Sequence, residues 1–73
     1  MNQYTCTCNT NDYLWRAVCV AKDEDAAREL AAGHADWKWW GYGLAELKQW
    51  NVALAEKSVA GPARIVDSTY YDH

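Results

Sequence analysis

Residues 3–21 predict a β-hairpin of two strands joined by a short turn. "QYTCTC" (residues 3–8) alternates polar and potentially buried side chains with the two-residue period of a strand, "NTND" is typical of a turn, and "YLWRAVCVA" (residues 13–21) reads as a second, longer strand. We expect Cys8 to pair with Tyr13. One face of the hairpin then carries Tyr4, Cys6, Cys8, Tyr13, Trp15, Ala17 and Cys19. The other face is also partly apolar, so the pattern leaves open which face is buried.

The segment "KDEDAARELAAGH" predicts a helix. Asp23 is the expected N-cap, acidic residues in the first turn suit the helix dipole, and Gly33 is expected to end the helix. The apolar stripe of this helix consists mostly of alanines: Ala26, Ala27, Leu30 and Ala31. Such small residues favour a helix that lies close against a sheet.

The second half of the chain predicts another helix and a last strand. We expect a helical turn over residues 36–40, a bend at residues 41–43 and a helix over residues 44–57. The apolar residues at helical spacing in that helix are Leu44, Leu47, Trp50 and Leu54. Gly61 and Pro62 interrupt the chain, and "ARIVDSTYY" (residues 63–71) reads as a strand.

The expected fold is therefore a single α+β domain over residues 1–73. It is a small two-layer sandwich in β-β-α-α-β order, with a three-stranded, mainly antiparallel sheet and the helices on one face.

The aromatic segment "DWKWWGYG" (residues 36–43) is the main candidate for a binding surface. On a local helix Trp37 and Trp40 share a face, whereas Trp39 points roughly 200° away from Trp37. Because larger aliphatic residues are scarce, we assign Trp37 and Trp40 to the core, as we do Trp15 and Trp50. Trp39 and Tyr42 are the expected anchors of a partner site, since Trp and Tyr are enriched at binding hot spots.

The net charge indicates the class of partner, and the lack of targeting features indicates the cellular location. The net charge of −3 argues against a nucleic-acid binder, whose usual footprint is a basic face, and favours a basic partner. The chain starts without a signal peptide and has no apolar run long enough to span a membrane, so we expect a cytoplasmic protein.

Metal and thiol chemistry are not expected. The chain has three cysteines, an odd number, and their spacing with the two histidines matches no zinc pattern. We therefore expect free thiols, no metal and no cofactor.

Catalysis is not expected either. Ser58 and Ser68 lack the G-x-S-x-G pattern of a nucleophile elbow, and only two histidines could act as a base. Cys19 with His34 is a conceivable pair, but a buried strand cysteine and a surface histidine explain these residues more simply. We expect a protein that is not an enzyme.

The acidic residues of the predicted first helix have two interpretations. They either cap the helix and keep the protein soluble, or they imitate nucleic-acid phosphates and dock on a basic groove. The residues concerned are Asp23, Glu24, Asp25 and Glu29.

In size, element order, acidic residues and the "DWKWWGYG" aromatics, the chain resembles the small anti-CRISPR proteins of phages and mobile elements. The resemblance implies an inhibitor that binds a host protein or ribonucleoprotein complex with a basic surface, and blocks nucleic-acid binding or nuclease recruitment. Its interface would use Trp39 and Tyr42 as anchors, with the four carboxylates of the first helix for electrostatic steering. The alternative is a homo-oligomerising structural or accessory subunit, at its simplest a homodimer. A thiol-based sensor or a small enzyme is the third interpretation.

Overall fold

The fold is seen in a computed structural model that describes residues 1–9, 13–34 and 49–72. Within these ranges the chain forms one antiparallel sheet of four strands and one helix. The elements are β1 (Asn2–Asn9), β2 (Tyr13–Ala21), α1 (Glu24–Ala32), β3 (Asn51–Glu56) and β4 (Arg64–Asp72). The strand order is β3-β1-β2-β4, which makes β3 and β4 the two edges.

The predicted hairpin is present, but its register differs from the prediction. Cys8 pairs with Trp15 rather than with Tyr13, and Cys6 pairs with Ala17. The shift is two residues, which equals the side-chain period of a strand, so each residue keeps its predicted face. The face that carries Tyr4, Cys6 and Cys8 is the buried one.

The helix covers this face through the predicted alanine stripe. Ala27, Ala31 and Ala32 are buried, while Ala26 and Leu30 are half-buried at the margin of the core. Helices bearing alanine can approach a sheet closely because no long side chain separates the two layers. Trp15 and Trp50 fill the remaining space as the largest fully buried side chains, which confirms both as core residues.

The predicted three-stranded sheet with two helices is wrong. Residues 51–56, expected in the second helix, form β3 and pair with β1, so the sheet gains a fourth strand. Leu54, expected in the core, is 46% exposed on this edge strand, and Trp50 lies before β3 rather than in a helix. The helical turn expected at 36–40, the bend at 41–43 and the start of the second helix lie outside the described residues.

Residues 51–56 form a strand because the hairpin alone would leave the outer edge of β1 without a partner. Pairing there satisfies the backbone groups with which β1 and β3 face each other, and it puts Val52 beside Cys6 on the helix-covered face. Local helix preference is a weak signal that such tertiary pairing overrides.

The last predicted strand is confirmed as β4, which pairs with β2 and has a bulge at Val66. Since β3 and β4 lie at opposite edges, the connection 57–63 crosses the end of the sheet. Val59 is held there by its backbone N–H, which donates to the Met1 carbonyl over 2.6 Å. Ser58 donates its backbone N–H to Asn2 Oδ1 over 3.2 Å.

Candidate functional site

The acidic residues predicted from the sequence are brought together on the outer side of α1. Asp23 is the N-cap, and its Oδ1 accepts a hydrogen bond from the Ala26 N–H over 2.8 Å. Asp25 forms an ion pair with Arg28 over 3.0 Å, at a position where the Asp25 side chain is 90% exposed. Glu24 and Glu29 are also exposed. Asp23 therefore caps the helix, Asp25 is paired with Arg28, and Glu24 and Glu29 face solvent.

The acidic helix, defined as Asp23 together with α1, carries the whole net charge of the protein. It has four carboxylates and one guanidinium, a formal charge of −3. The rest of the chain has six acidic and six basic side chains and is formally neutral. The formal charge of the acidic helix therefore equals the formal net charge of the whole chain.

Arg28 limits this field while anchoring the helix. Its Nη1 holds Asp25, and its Nε donates to the Trp50 carbonyl over 3.1 Å. The guanidinium therefore ties the outer side of the helix to the chain that leads into β3. A helix fixed by this contact and by its buried alanines presents its carboxylates in a constant arrangement.

Exposed aromatic residues are present on β4, where the sequence analysis did not assign them a role. Tyr70 and Tyr71 are 51% and 55% exposed and point to opposite faces of the sheet. The Tyr70 ring contacts the rings of Tyr13 and Trp15, with centroids 5.7 and 5.3 Å away. The signal for them was the "STYY" at the end of the last strand. The predicted anchors Trp39 and Tyr42 lie outside the described residues.

A contact between His34 and Ser68 was missed entirely by the sequence analysis. His34 follows the C-cap of α1, and Ser68 is in the middle of β4 on the side of the sheet that the helix covers. His34 Nε2 lies 3.0 Å from Ser68 Oγ, and both side chains are half-buried. The alternation of β4 gives the face of Ser68, but no pattern in the sequence connects it to a residue 34 positions earlier.

The three cysteines are free thiols buried in the core, as expected. Burial raises the pKa of Cys8. Cys6 and Cys19 are diagonal neighbours on β1 and β2. Their interaction lowers the pKa of Cys6 and raises the pKa of Cys19, because the pair loses its first proton from Cys6 and resists losing a second.

Within the described parts of the chain, no group of three or more His, Cys, Asp or Glu side chains is arranged to hold a metal ion. Nor does any helix within those parts have the length and apolar character that crossing a membrane requires.

Comparisons with protein-family models, with curated proteins and with solved structures found no match to this chain.

Proposed function

We propose that this protein is a small inhibitor of the anti-CRISPR type, encoded by a phage or mobile element. It binds a host RNA-guided nuclease complex in the cytoplasm and blocks nucleic-acid binding or nuclease recruitment. It is not an enzyme in this role, and it contacts the host protein surface rather than nucleic acid.

The observation that carries the proposal is the concentration of the net charge on the acidic helix. Surfaces that bind nucleic acid are rich in Lys and Arg, so a rigid row of carboxylates is complementary to them. Glu24 and Glu29 supply the steering charge, since Asp23 and Asp25 already have partners within the helix.

Trp39 and Tyr42 remain the predicted anchors of the interface. Replacement of Trp39 by Ala is expected to weaken partner binding by about 2 kcal/mol or more, the scale of a hot-spot residue. A thermal melt serves as the control, because weaker binding is informative only if the variant keeps its fold. A variant that unfolds would assign Trp39 to the core instead.

The first experiment is a pull-down with tagged protein from a bacterial lysate that expresses RNA-guided CRISPR complexes, read by mass spectrometry. We expect one such complex in stoichiometric amount, and purified complex should then lose DNA binding or cleavage when the protein is added. Recovery of the tagged protein alone would contradict the proposal.

The steering role is tested by a charge-matched pair of double variants. Glu24→Gln with Glu29→Gln is expected to slow association with the captured complex about tenfold at low salt. The control, Glu56→Gln with Asp67→Asn, removes the same charge from exposed positions on β3 and β4. Equal association rates for the two double variants would show that the acidic helix is not part of the interface.

A second candidate function is a self-associating subunit, favoured by the apolar residues exposed at both sheet edges. Leu54 lies on β3, and Val66 and Tyr70 lie on β4, each about half exposed. Strand edges with such residues are templates for pairing with another chain. Sedimentation velocity at increasing protein concentration separates the candidates, because a monomer throughout excludes self-association.

A further inference from the structure

The contact between His34 and Ser68 joins a base to a hydroxyl in the arrangement that nucleophilic catalysis uses. A serine hydroxyl is a weak nucleophile until a neighbouring group takes its proton, and a histidine ring nitrogen within hydrogen-bond distance can do so. The 3.0 Å between His34 Nε2 and Ser68 Oγ meets this requirement.

Ser68 lies in regular structure, and His34 directly follows the C-cap of α1. Ser68 is paired with Ala17 in the β2–β4 ladder, and His34 is held at the end of α1, where its backbone N–H donates to the Ala31 carbonyl over 3.2 Å. The hydroxyl is therefore carried by a strand, and the ring by a residue hydrogen-bonded to the last turn of α1.

The described neighbours of Ser68 on this face of the sheet are uncharged. The cross-strand neighbour Ala17 is small and buried, and Ile65 and Tyr70 flank Ser68 on the same face of β4. Ser68 and His34 are half-buried, so each keeps part of its surface exposed to solvent.

We propose that Ser68 is a nucleophile with His34 as its general base, and that it accepts acyl groups from small activated esters. Ser68 Oγ attacks the carbonyl carbon and its proton passes to His34 Nε2. A new C–O bond forms to Ser68, the bond to the leaving oxygen breaks, and the alcohol or phenol leaves as its anion. His34 then releases the proton to water, which leaves an acyl-serine.

The test is acetylation of the full chain by p-nitrophenyl acetate. Release of nitrophenolate is followed by absorbance, and the acetylated residue is located by peptide mass spectrometry. We expect one acetyl group on Ser68, lost in Ser68→Ala. Ser58 is the internal control, because it is exposed on the connection 57–63. If exposure alone set reactivity, Ser58 would be acetylated faster than Ser68, and the proposal would be wrong.

The role of His34 is tested by His34→Gln, whose amide can still hydrogen-bond Ser68 but cannot take up its proton. Loss of a general base is expected to slow acetylation of Ser68 about a hundredfold. An unchanged acetylation rate in a folded variant would overturn the proposal, and the contact between His34 and Ser68 would then have only a structural role.

A measurement on the wild-type chain keeps the proposal testable even if His34→Gln does not fold. In concentrated urea the two serines should react at similar rates, because the contact with His34 is lost. A preference for Ser68 that persists in urea would show that its local sequence, not the fold, causes the reactivity.

Discussion

The N-cap at Asp23 gives the sharpest test of how the acidic helix is held. We expect Asp23→Ala to lower the free energy of unfolding by about 1 kcal/mol, the usual value for losing a capping side chain. The 2.8 Å bond to the Ala26 N–H is short, and it satisfies a backbone donor that has no partner within the helix. A change of this size lowers the melting temperature of a domain of this length by roughly 4–8 °C.

Asp23→Asn is the matched variant, because it removes the same charge but keeps an oxygen that accepts the bond. Asn is as good an N-cap as Asp, so we expect a loss of only a few tenths of a kcal/mol. Urea unfolding followed by the fluorescence of the buried Trp15 and Trp50 measures both variants. If the two variants lose the same stability, the effect comes from charge and the capping explanation is refuted. The same pair helps the binding assay, since any change that both share is due to charge.

Three further predictions concern packing, backbone and thiols. Ala27→Leu is expected to lower the free energy of unfolding by about 1–3 kcal/mol, because the larger side chain overpacks the buried contact between helix and sheet. Ala26→Leu, at the half-buried margin, should lower it clearly less. Equal urea midpoints for the two variants would contradict the close approach of the helix to the sheet. Gly61→Ala is expected to cost about 1–2 kcal/mol because Gly61 has φ +96°, while Gly33→Ala, at φ −89°, should cost less in the same melts. Because burial raises the pKa of Cys8, its contribution to stability is complete below the ordinary value of 9.0 and is lost as the pH rises above it. Urea titrations from neutral to alkaline pH should therefore show a steeper loss for wild type than for Cys8→Ala, and parallel curves would contradict this.

The hairpin and the first helix could be predicted because their signals are local. Alternation placed every residue of β1 and β2 on its correct face, and Asp23 and Gly33 marked the ends of the helix. The predicted register was wrong by two residues, because the register depends on how many residues form the turn. A shift of two residues leaves every side chain on the same face, so the alternating pattern cannot detect it.

The fate of residues 51–56 could not be predicted from local signals. Trp50 and Leu54 lie four apart, which fits a helix, while Val52 and Leu54 lie two apart, which fits a strand. Only the open edge of β1 decides between the two patterns, and that edge exists only after the hairpin has formed. A contact such as His34 with Ser68 depends on the whole strand order, so it is still further from what a sequence pattern can reveal.

Glu24, which steers partner association, and the contact between His34 and Ser68 lie at opposite ends of one helix, so their effects can be separated. A nine-residue helix is about 14 Å long, so the N-cap at Asp23 and His34 beyond the C-cap are separated by more than that. At physiological ionic strength the Debye length is about 8 Å, and the charge of Glu24 is therefore largely screened at Ser68. Neutralising Glu24 should therefore leave the acetylation rate of Ser68 unchanged. If the rate changed, the helix would act as one coupled element, and Glu24 and the serine would belong to a single site.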